Sequence, residues 1–373
     1  MGSIRLLTIR GIPIRIHITF PLILIWAAFQ YGQGQANWAK GALFGVIFTL
    51  FLFVGVLLHE LAHSLVALQF GAQVREIVLF PLGGVAQMES LPERPWQELL
   101  MALAGPVTSA VVGGVLGIAT LFFLPLRLWA SFLRAIGTGM GLQWAYLLPY
   151  LAFTNLLLAG FNLIPAFPMD GGRVLRALLA TAMPYGRATA IAVAVGQGLA
   201  WLLGLVGLLG GDVVLILVAF LVYSGATQEG RMVQVKLALA GLQVDQVFSR
   251  GVRTVSPTDP LGVAVDIMLE GFQADFPVCE EGRLIGLVTR ADLLRGLKEH
   301  GPQAPIGQVM RHQFPTATPQ DDLFEVRERM AKAGLEALPV VEEGRFLGLL
   351  TQQDLNEAYA LVSVRPSLLR PRT

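Results

Sequence analysis

The chain has 373 residues, of which 54% are hydrophobic and only 14% are charged. Soluble domains carry about 25% charged residues, so this composition excludes a wholly soluble protein and predicts an integral membrane protein with a soluble part. The net charge of +1 does not indicate a nucleic-acid-binding protein, and the single cysteine, Cys279, excludes an internal disulfide.

The acidic residues are spread unevenly along the chain. Only eight of the 26 precede residue 231, so we predict a membrane domain over residues 1–230 and a soluble part after it. At the start, residues 4–18 alternate apolar and basic side chains around Gly11 and Pro13. This pattern predicts a short hairpin or edge strand and not a cleaved signal peptide.

The membrane domain contains six apolar segments that we predict to be transmembrane helices, since about 20 apolar residues cross a bilayer. Ten basic residues lie near the segment ends on the N-terminal side of the membrane and three on the other side. Basic residues favour the cytoplasmic side, so we predict a multi-pass protein of the cell membrane with its N-terminus and its soluble part in the cytoplasm. The predicted segments are residues 17–32, 41–70, 99–126, 142–165, 188–209 and 213–226.

The second segment contains the sequence His59-Glu60-Leu61-Ala62-His63. Two histidines four residues apart lie on one face of a helix, which suits two ligands of one zinc ion, and the glutamate between them is then placed to act on a water molecule at the metal. The alternative is a helix that packs two histidines without a metal. A charged residue inside a membrane is costly, so its presence in this segment favours the functional interpretation.

A catalytic zinc ion commonly has three protein ligands, so a third is expected from elsewhere in the membrane domain. Asp170 is the best candidate, because it follows the end of the fourth segment, which is predicted to lie at the same depth in the membrane as the two histidines. Pro165 and Pro168 precede it, and prolines break a helix and can turn the next side chain inward. His17 and Glu89 are the alternative ligands. Asp170 could instead cap the helix that begins near residue 172.

These two motifs, HELAH and NLIPAFPMDGG over residues 162–172, resemble those of the site-2 protease family of intramembrane zinc metalloproteases. The resemblance covers residues 1–230. It implies that His59, His63 and Asp170 bind zinc and that Glu60 is the catalytic base.

The segment over residues 80–86 is similar to the membrane-embedded β-structure of the same family. This resemblance implies that an edge near Gly83 and Gly84 pairs with an unwound substrate, and that Asn162 assists substrate binding. The chain departs from many relatives at Ser109, where they have asparagine.

The soluble part contains an internal repeat, in which Pro277-Val278 recurs as Pro339-Val340, 62 positions later. We divide it into copies over residues 243–300 and 306–362, with a disordered tail over 363–373. The sequence of each copy predicts a helix, a strand, a glycine-containing turn and a second strand. A second helix then starts at a Thr-x-x-Asp sequence. Each resembles a cystathionine-β-synthase (CBS) domain, of which two form one regulatory module. The resemblance implies that the ribose of AMP or ATP is contacted by Thr289, Asp292, Thr351 and Asp354.

Two alternatives remain open for this module. The threonines of the Thr-x-x-Asp sequences could be helix caps without a ligand, and the pair could be a docking or homodimerisation module.

We therefore predict a polytopic α-helical membrane protein with a short membrane-associated β-structure and a soluble α/β tandem CBS module. Its predicted function is zinc-dependent cleavage of transmembrane protein substrates near the cytoplasmic side of the lipid bilayer, with regulation by an adenine nucleotide at the CBS pair. The rival hypotheses are a CBS-regulated metal transporter or channel and a catalytically silent scaffold that binds partner helices. Glu60 discriminates between them, because neither rival requires it.

Overall fold

The computed structural model describes residues 2–33, 35, 37–88, 94–123, 125, 131–132, 144–271 and 273–365. The chain divides into two compact units, Met1–Gly230 and Arg231–Thr373. The first is largely helical and apolar, and the second is a mixed α/β unit with its own buried cores.

Five helices in the described part of the chain before residue 240 are long and apolar enough to cross a membrane, namely α2, α3, α4 with the short turn before it, α6 and α7. The fifth begins in the first unit and ends in the second. The helices in this part of the chain are α1 (Pro21–Gly32), α2 (Trp38–Gln69), α3 (Pro95–Phe123), α4 (Leu147–Asn162), α5 (Asp170–Ala180), α6 (Tyr185–Gly210) and α7 (Val213–Leu239).

The first predicted transmembrane segment, residues 17–32, differs from the structure. Its helix α1 has only 12 residues and starts at Pro21, because His17 ends a strand and proline favours the first position of a helix. The fourth segment ends at Asn162 and not at 165, before the prolines, whereas the last continues beyond residue 226 to Leu239. The ends of the third and fourth segments, at 126 and 142, lie outside the described residues.

A four-stranded sheet accompanies these helices, with the order β1-β2-β3-β4. The first two strands form the predicted hairpin, which is confirmed, and Gly11 makes its turn with a φ of +84°. Strand β2 runs parallel to β3, and β3 pairs antiparallel with β4, so β4 lies at an edge. The strands are Ser3–Ile9, Ile12–His17, Val74–Phe80 and Gly83–Met88.

The second unit confirms the predicted repeat. Each copy contributes a helix, two antiparallel strands and a second helix: α8 (Leu261–Glu270), β5 (Phe276–Glu280), β6 (Arg283–Val288) and α9 (Arg290–His300), then α10 (Leu323–Ala333), β7 (Ala337–Glu342), β8 (Arg345–Thr351) and α11 (Gln352–Val364).

The two copies share one sheet of order β5-β6-β8-β7. At its centre Arg283 pairs with Arg345, its equivalent in the second copy, so equivalent residues meet across a pseudo-twofold axis. Residues 363 and 364 of the predicted tail belong to α11, and residues 366–373 lie outside the described residues.

Candidate metal centre

The two motif histidines lie on the same face of α2, one turn apart, and both are buried. The helix runs without interruption through the motif, because the flanking residues are apolar and include no proline. Asp170 is the first residue of α5 and follows a tight turn over residues 163–169. That turn brings a carboxylate 107 residues away in sequence to His63.

Three side-chain atoms converge at this point. Asp170 Oδ2 lies 3.2 Å from His59 Nε2 and 3.1 Å from His63 Nε2, and the two Nε2 atoms are 3.1 Å apart. A tetrahedral zinc ion with bonds of about 2.0–2.1 Å separates its ligand atoms by about 3.3–3.4 Å. The spacing of the three donors is close to that value, and nitrogen and carboxylate oxygen are ligands that zinc prefers.

The other nitrogen of each imidazole has a partner that orients its ring. His63 Nδ1 lies 2.7 Å from the carbonyl oxygen of Met101, which can only accept a hydrogen bond. Nδ1 therefore carries the proton, which leaves the lone pair of Nε2 free to bind a metal. His59 Nδ1 lies 2.9 Å from Ser109 Oγ, so this serine is a hydrogen-bond partner of the second ring.

Gly105 on α3 leaves the space beside the two rings open. A Cβ atom at this position would lie 2.2 Å from His63 Nε2 and 2.6 Å from His59 Nε2, far closer than atoms in van der Waals contact. The residues present therefore fit a zinc ion in both donor chemistry and space.

Glu60 lies next to the edge strand β4. A Cβ atom on Gly84 would be only 2.7 Å from Glu60 Cγ, so glycine lets the strand approach the glutamate closely. Gly83 has a φ of +143°, which favours glycine, and Leu82 in the turn before it is 98% exposed. Within the described residues, β4 has a neighbouring strand on one side only.

Of the two alternative ligands, His17 does not join this group. His17 Nδ1 pairs with Thr19 Oγ1 at 2.7 Å, and its ring contacts Phe80. Glu89 lies outside the described residues. Asp170 is not the N-cap of α5, because Met169 occupies that position. Asn162 ends α4 and donates a hydrogen bond to the Leu158 carbonyl at 3.0 Å, within its own helix.

A second buried polar group lies nearby and was missed by the motif analysis. Arg176, on α5, is completely buried and donates to Glu98 at 2.8 Å and to Glu229 at 2.6 Å. The sequence contained a signal for it, because these are three of the few charged residues in an apolar unit, and charges there need partners.

In the second unit, the two Thr-x-x-Asp sequences both begin helices. Thr289 caps α9 and Thr351 caps α11, each in a reciprocal capping box with the aspartate three residues later. Burial alone would raise the pKa of Asp292, but hydrogen bonds from Arg311 and Thr289 hold this pKa below its ordinary value.

Comparisons with known proteins agree with the His-His-Asp group of the first unit and with the repeat of the second. The model of peptidase family M50 matches residues 47–203, and the CBS domain model matches residues 244–299 and 306–361. A zinc metalloprotease of Methanocaldococcus jannaschii is 35% identical over 98% of this chain and 98% of its own length. A second relative, a Synechocystis protein, is 29% identical over 95% of this chain and 94% of its own length.

Among solved structures, the site-2 protease from Methanocaldococcus jannaschii is 42% identical, with a TM-score of 0.43. The match covers 61% of this chain and 95% of that chain. The similarity over nearly the whole length of the curated relative establishes the family. The chain belongs to peptidase family M50, the site-2 protease family, and is a membrane-embedded zinc metalloprotease with a pair of CBS domains.

Proposed function

We propose that this protein is an intramembrane endopeptidase that cleaves transmembrane protein substrates near the cytoplasmic face, in regulated intramembrane proteolysis. The convergence of His59, His63 and Asp170 beside Glu60 supports the proposal, because a hydrolytic metal site needs such a donor group with a carboxylate next to it. A transporter or a silent scaffold has no need of the glutamate.

Each residue of the centre has a role in this proposal. His59, His63 and Asp170 hold a zinc ion, which supplies Lewis-acid activation of the scissile carbonyl and of water. The Glu60 carboxylate accepts a proton from the attacking water and delivers it to the leaving nitrogen. The two rings are kept oriented through their Nδ1 atoms by Met101 and Ser109.

Substrate binding is assigned to the edge of β4 at Gly83 and Gly84. A transmembrane helix hides its carbonyl groups in its own hydrogen bonds, so it must unwind before a peptide bond can be attacked. An unwound segment can pair with an edge strand through backbone hydrogen bonds. The closeness of Gly84 to Glu60 puts that edge next to the base. Asn162 is proposed to assist by donating a hydrogen bond to the substrate or accepting one from it.

The experiment is a cleavage assay in proteoliposomes with a single-span membrane protein as substrate. Glu60→Gln should abolish cleavage while one zinc ion per chain, measured by elemental analysis, is retained. The matched control is Glu76→Gln, the same change on strand β3, which should retain most of the activity. Cleavage by the Glu60 variant at the wild-type rate would refute the assigned role.

Regulation by an adenine nucleotide is assigned to the paired CBS domains. The support is the pair of capped Thr-x-x-Asp sequences and a cavity of about 840 Å³ in the second unit that Thr351 and Asp354 line. Titration of AMP or ATP should change the cleavage rate. An unchanged rate together with no measurable binding would refute this part of the proposal.

A further inference from the structure

The two CBS copies differ at one pair of equivalent positions. Ser249 and Arg311 are related by the offset of the repeat, and each forms the same reciprocal backbone contact with the other copy. Ser249 pairs with Leu349, and Arg311 pairs with Leu287 at the equivalent place. The backbone is therefore equivalent at both positions, and only the side chain differs.

The arginine side chain engages the aspartate of the first copy. Arg311 Nε lies 2.6 Å from Asp292 Oδ2, and its Nη2 lies 3.1 Å from Asp292 Oδ1. This is a bidentate guanidinium–carboxylate pair, the strongest geometry for such a contact. Arg295 Nη1 approaches the same carboxylate at 3.8 Å, and Asp292 is only 6% exposed.

The equivalent carboxylate of the second copy has a different environment. Asp354 Oδ1 accepts one hydrogen bond from Ser249 Oγ at 2.9 Å, and its side chain lines the cavity of about 840 Å³. The position equivalent to Arg295 is Glu357, so the second of the two cations near Asp292 is replaced by an anion near Asp354. A small hydroxyl leaves space here that a guanidinium fills in the other half.

We infer that the CBS pair holds one ligand site per chain, at Asp354, because Arg311 occupies the equivalent carboxylate as an internal ligand. This inference rests on the proposed nucleotide binding and specifies where it occurs. The Asp354 carboxylate is available to accept the hydroxyl hydrogen bonds of a ribose, whereas that of Asp292 is already neutralised and covered.

The charge of the cavity also selects the ligand. Of its two lining arginines, Arg253 is paired with Glu270 at 2.7 Å and Arg250 lies over the Phe248 ring. This leaves the Arg250 guanidinium to bind a phosphate, and one guanidinium suits one phosphate group. A triphosphate would bring several negative charges towards an acidic surface. The site therefore favours a nucleoside monophosphate over a triphosphate. Five lining residues are acidic, namely Glu270, Asp275, Glu336, Asp354 and Glu357.

The test is the number of AMP molecules bound per full-length chain in detergent, measured by equilibrium dialysis. The wild type should bind one. Arg311→Ser, which gives the second copy the residue that the first copy has at the equivalent position, should bind two, and Ser249→Arg should bind none. Asp354→Asn should weaken AMP binding at least tenfold, whereas Asp292→Asn should leave the wild-type affinity within twofold. Thermal unfolding identifies any variant that fails to fold.

The outcomes separate this inference from the proposal on which it rests. Two AMP molecules per wild-type chain, or equal weakening by the two Asp→Asn changes, would overturn the single site and leave nucleotide binding intact. No binding of AMP or ATP to any of the five proteins would refute nucleotide regulation itself. In the presence of a metal chelator, AMP should bind at least tenfold more tightly than ATP, and the reverse order would overturn the charge argument.

Discussion

Replacement of Gly105 by alanine tests the metal centre most directly. The added Cβ atom would lie 2.2 Å from His63 Nε2 and 2.6 Å from His59 Nε2. Non-bonded heavy atoms separate to about 3.5 Å, so the two nitrogens would have to move by about 1.3 Å and 0.9 Å. Metal–ligand distances tolerate a change of about 0.2 Å, so neither ring could keep its position in the site.

We therefore expect Gly105→Ala to lose more zinc affinity than the about 10–100-fold cost of removing an outer hydrogen-bond partner. Cleavage should be lost with it. Relaxation by ring movement is limited, because the Met101 carbonyl holds His63 from the other side. The assay is zinc per chain after dialysis against buffers of fixed free zinc, followed by cleavage in proteoliposomes.

Gly114→Ala is the matched control, because it makes the same change on the same helix at a position where the Cβ atom meets nothing within 4 Å. It should bind zinc normally and stabilise the helix by about 0.5–1 kcal/mol. One zinc ion per chain with wild-type affinity in Gly105→Ala would show that the nitrogens do not hold the metal as argued.

Four further predictions concern other residues of the chain. Ser109→Ala should weaken zinc binding about 10–100-fold in the same dialysis, since it removes the partner of His59 Nδ1. Arg176→Met should destabilise the protein by about 3–5 kcal/mol, because Glu98 and Glu229 lose their buried partner. Unfolding in detergent measures this loss, and changing both glutamates to glutamine as well should restore part of the stability. Because the pKa of Asp292 is lowered in the folded protein, its carboxylate stabilises the fold at pH values above the ordinary carboxyl pKa of 3.8, and this contribution is lost as the pH falls through the lowered pKa. The difference in unfolding free energy between wild type and Arg311→Ser should therefore shrink in that acidic range. Ser363→Cys in a Cys279→Ser background should react with an impermeant maleimide only in inside-out vesicles, and reaction in right-side-out vesicles would refute the cytoplasmic placement of the CBS pair.

The sequence predicted best the features that depend on local spacing. The two motif histidines must share a helical face because they are four residues apart, whatever surrounds them. The repeat was equally accessible, because its offset is read directly from matching segments. The Thr-x-x-Asp sequences likewise predicted their helix starts, since a capping box is a local structure.

Features that depend on the approach of distant segments could not be predicted in the same way. Nothing in the sequence shows that Gly105 faces two imidazoles from another helix. The sequence indicates that Arg176 needs charged partners, but it does not show that glutamates of α3 and α7 meet it. The length of the first predicted transmembrane segment was overestimated, because residues 17–20 are also apolar or uncharged. Hydropathy alone does not distinguish a strand and turn from a helix. The difference between Ser249 and Arg311 was visible but acquired meaning only once each faced an aspartate of the other copy.

The short helix α5 explains why two glycines follow Asp170. The turn over residues 163–169 folds back onto the start of this helix. A Cβ atom on Gly171 would lie 2.2 Å from the Ile164 carbonyl oxygen, and one on Gly172 would lie 2.6 Å from the Phe167 nitrogen. Side chains at these two positions would push the helix away from the turn and carry the Asp170 carboxylate out of reach of the imidazoles.

The same helix is held further along its length by a second set of buried contacts. Arg176 lies six residues after Asp170, between Glu98 of α3 and Glu229 of α7. Helix α3 also carries Ser109 and Gly105, so one helix orients a histidine, leaves space for the proposed metal and holds the helix that carries Asp170, the proposed third ligand. Because α5 has only 11 residues, movement at either set of contacts would reach the carboxylate. The position of Asp170 therefore depends on packing between distant segments, and this is why the motif could suggest the ligand but could not place it.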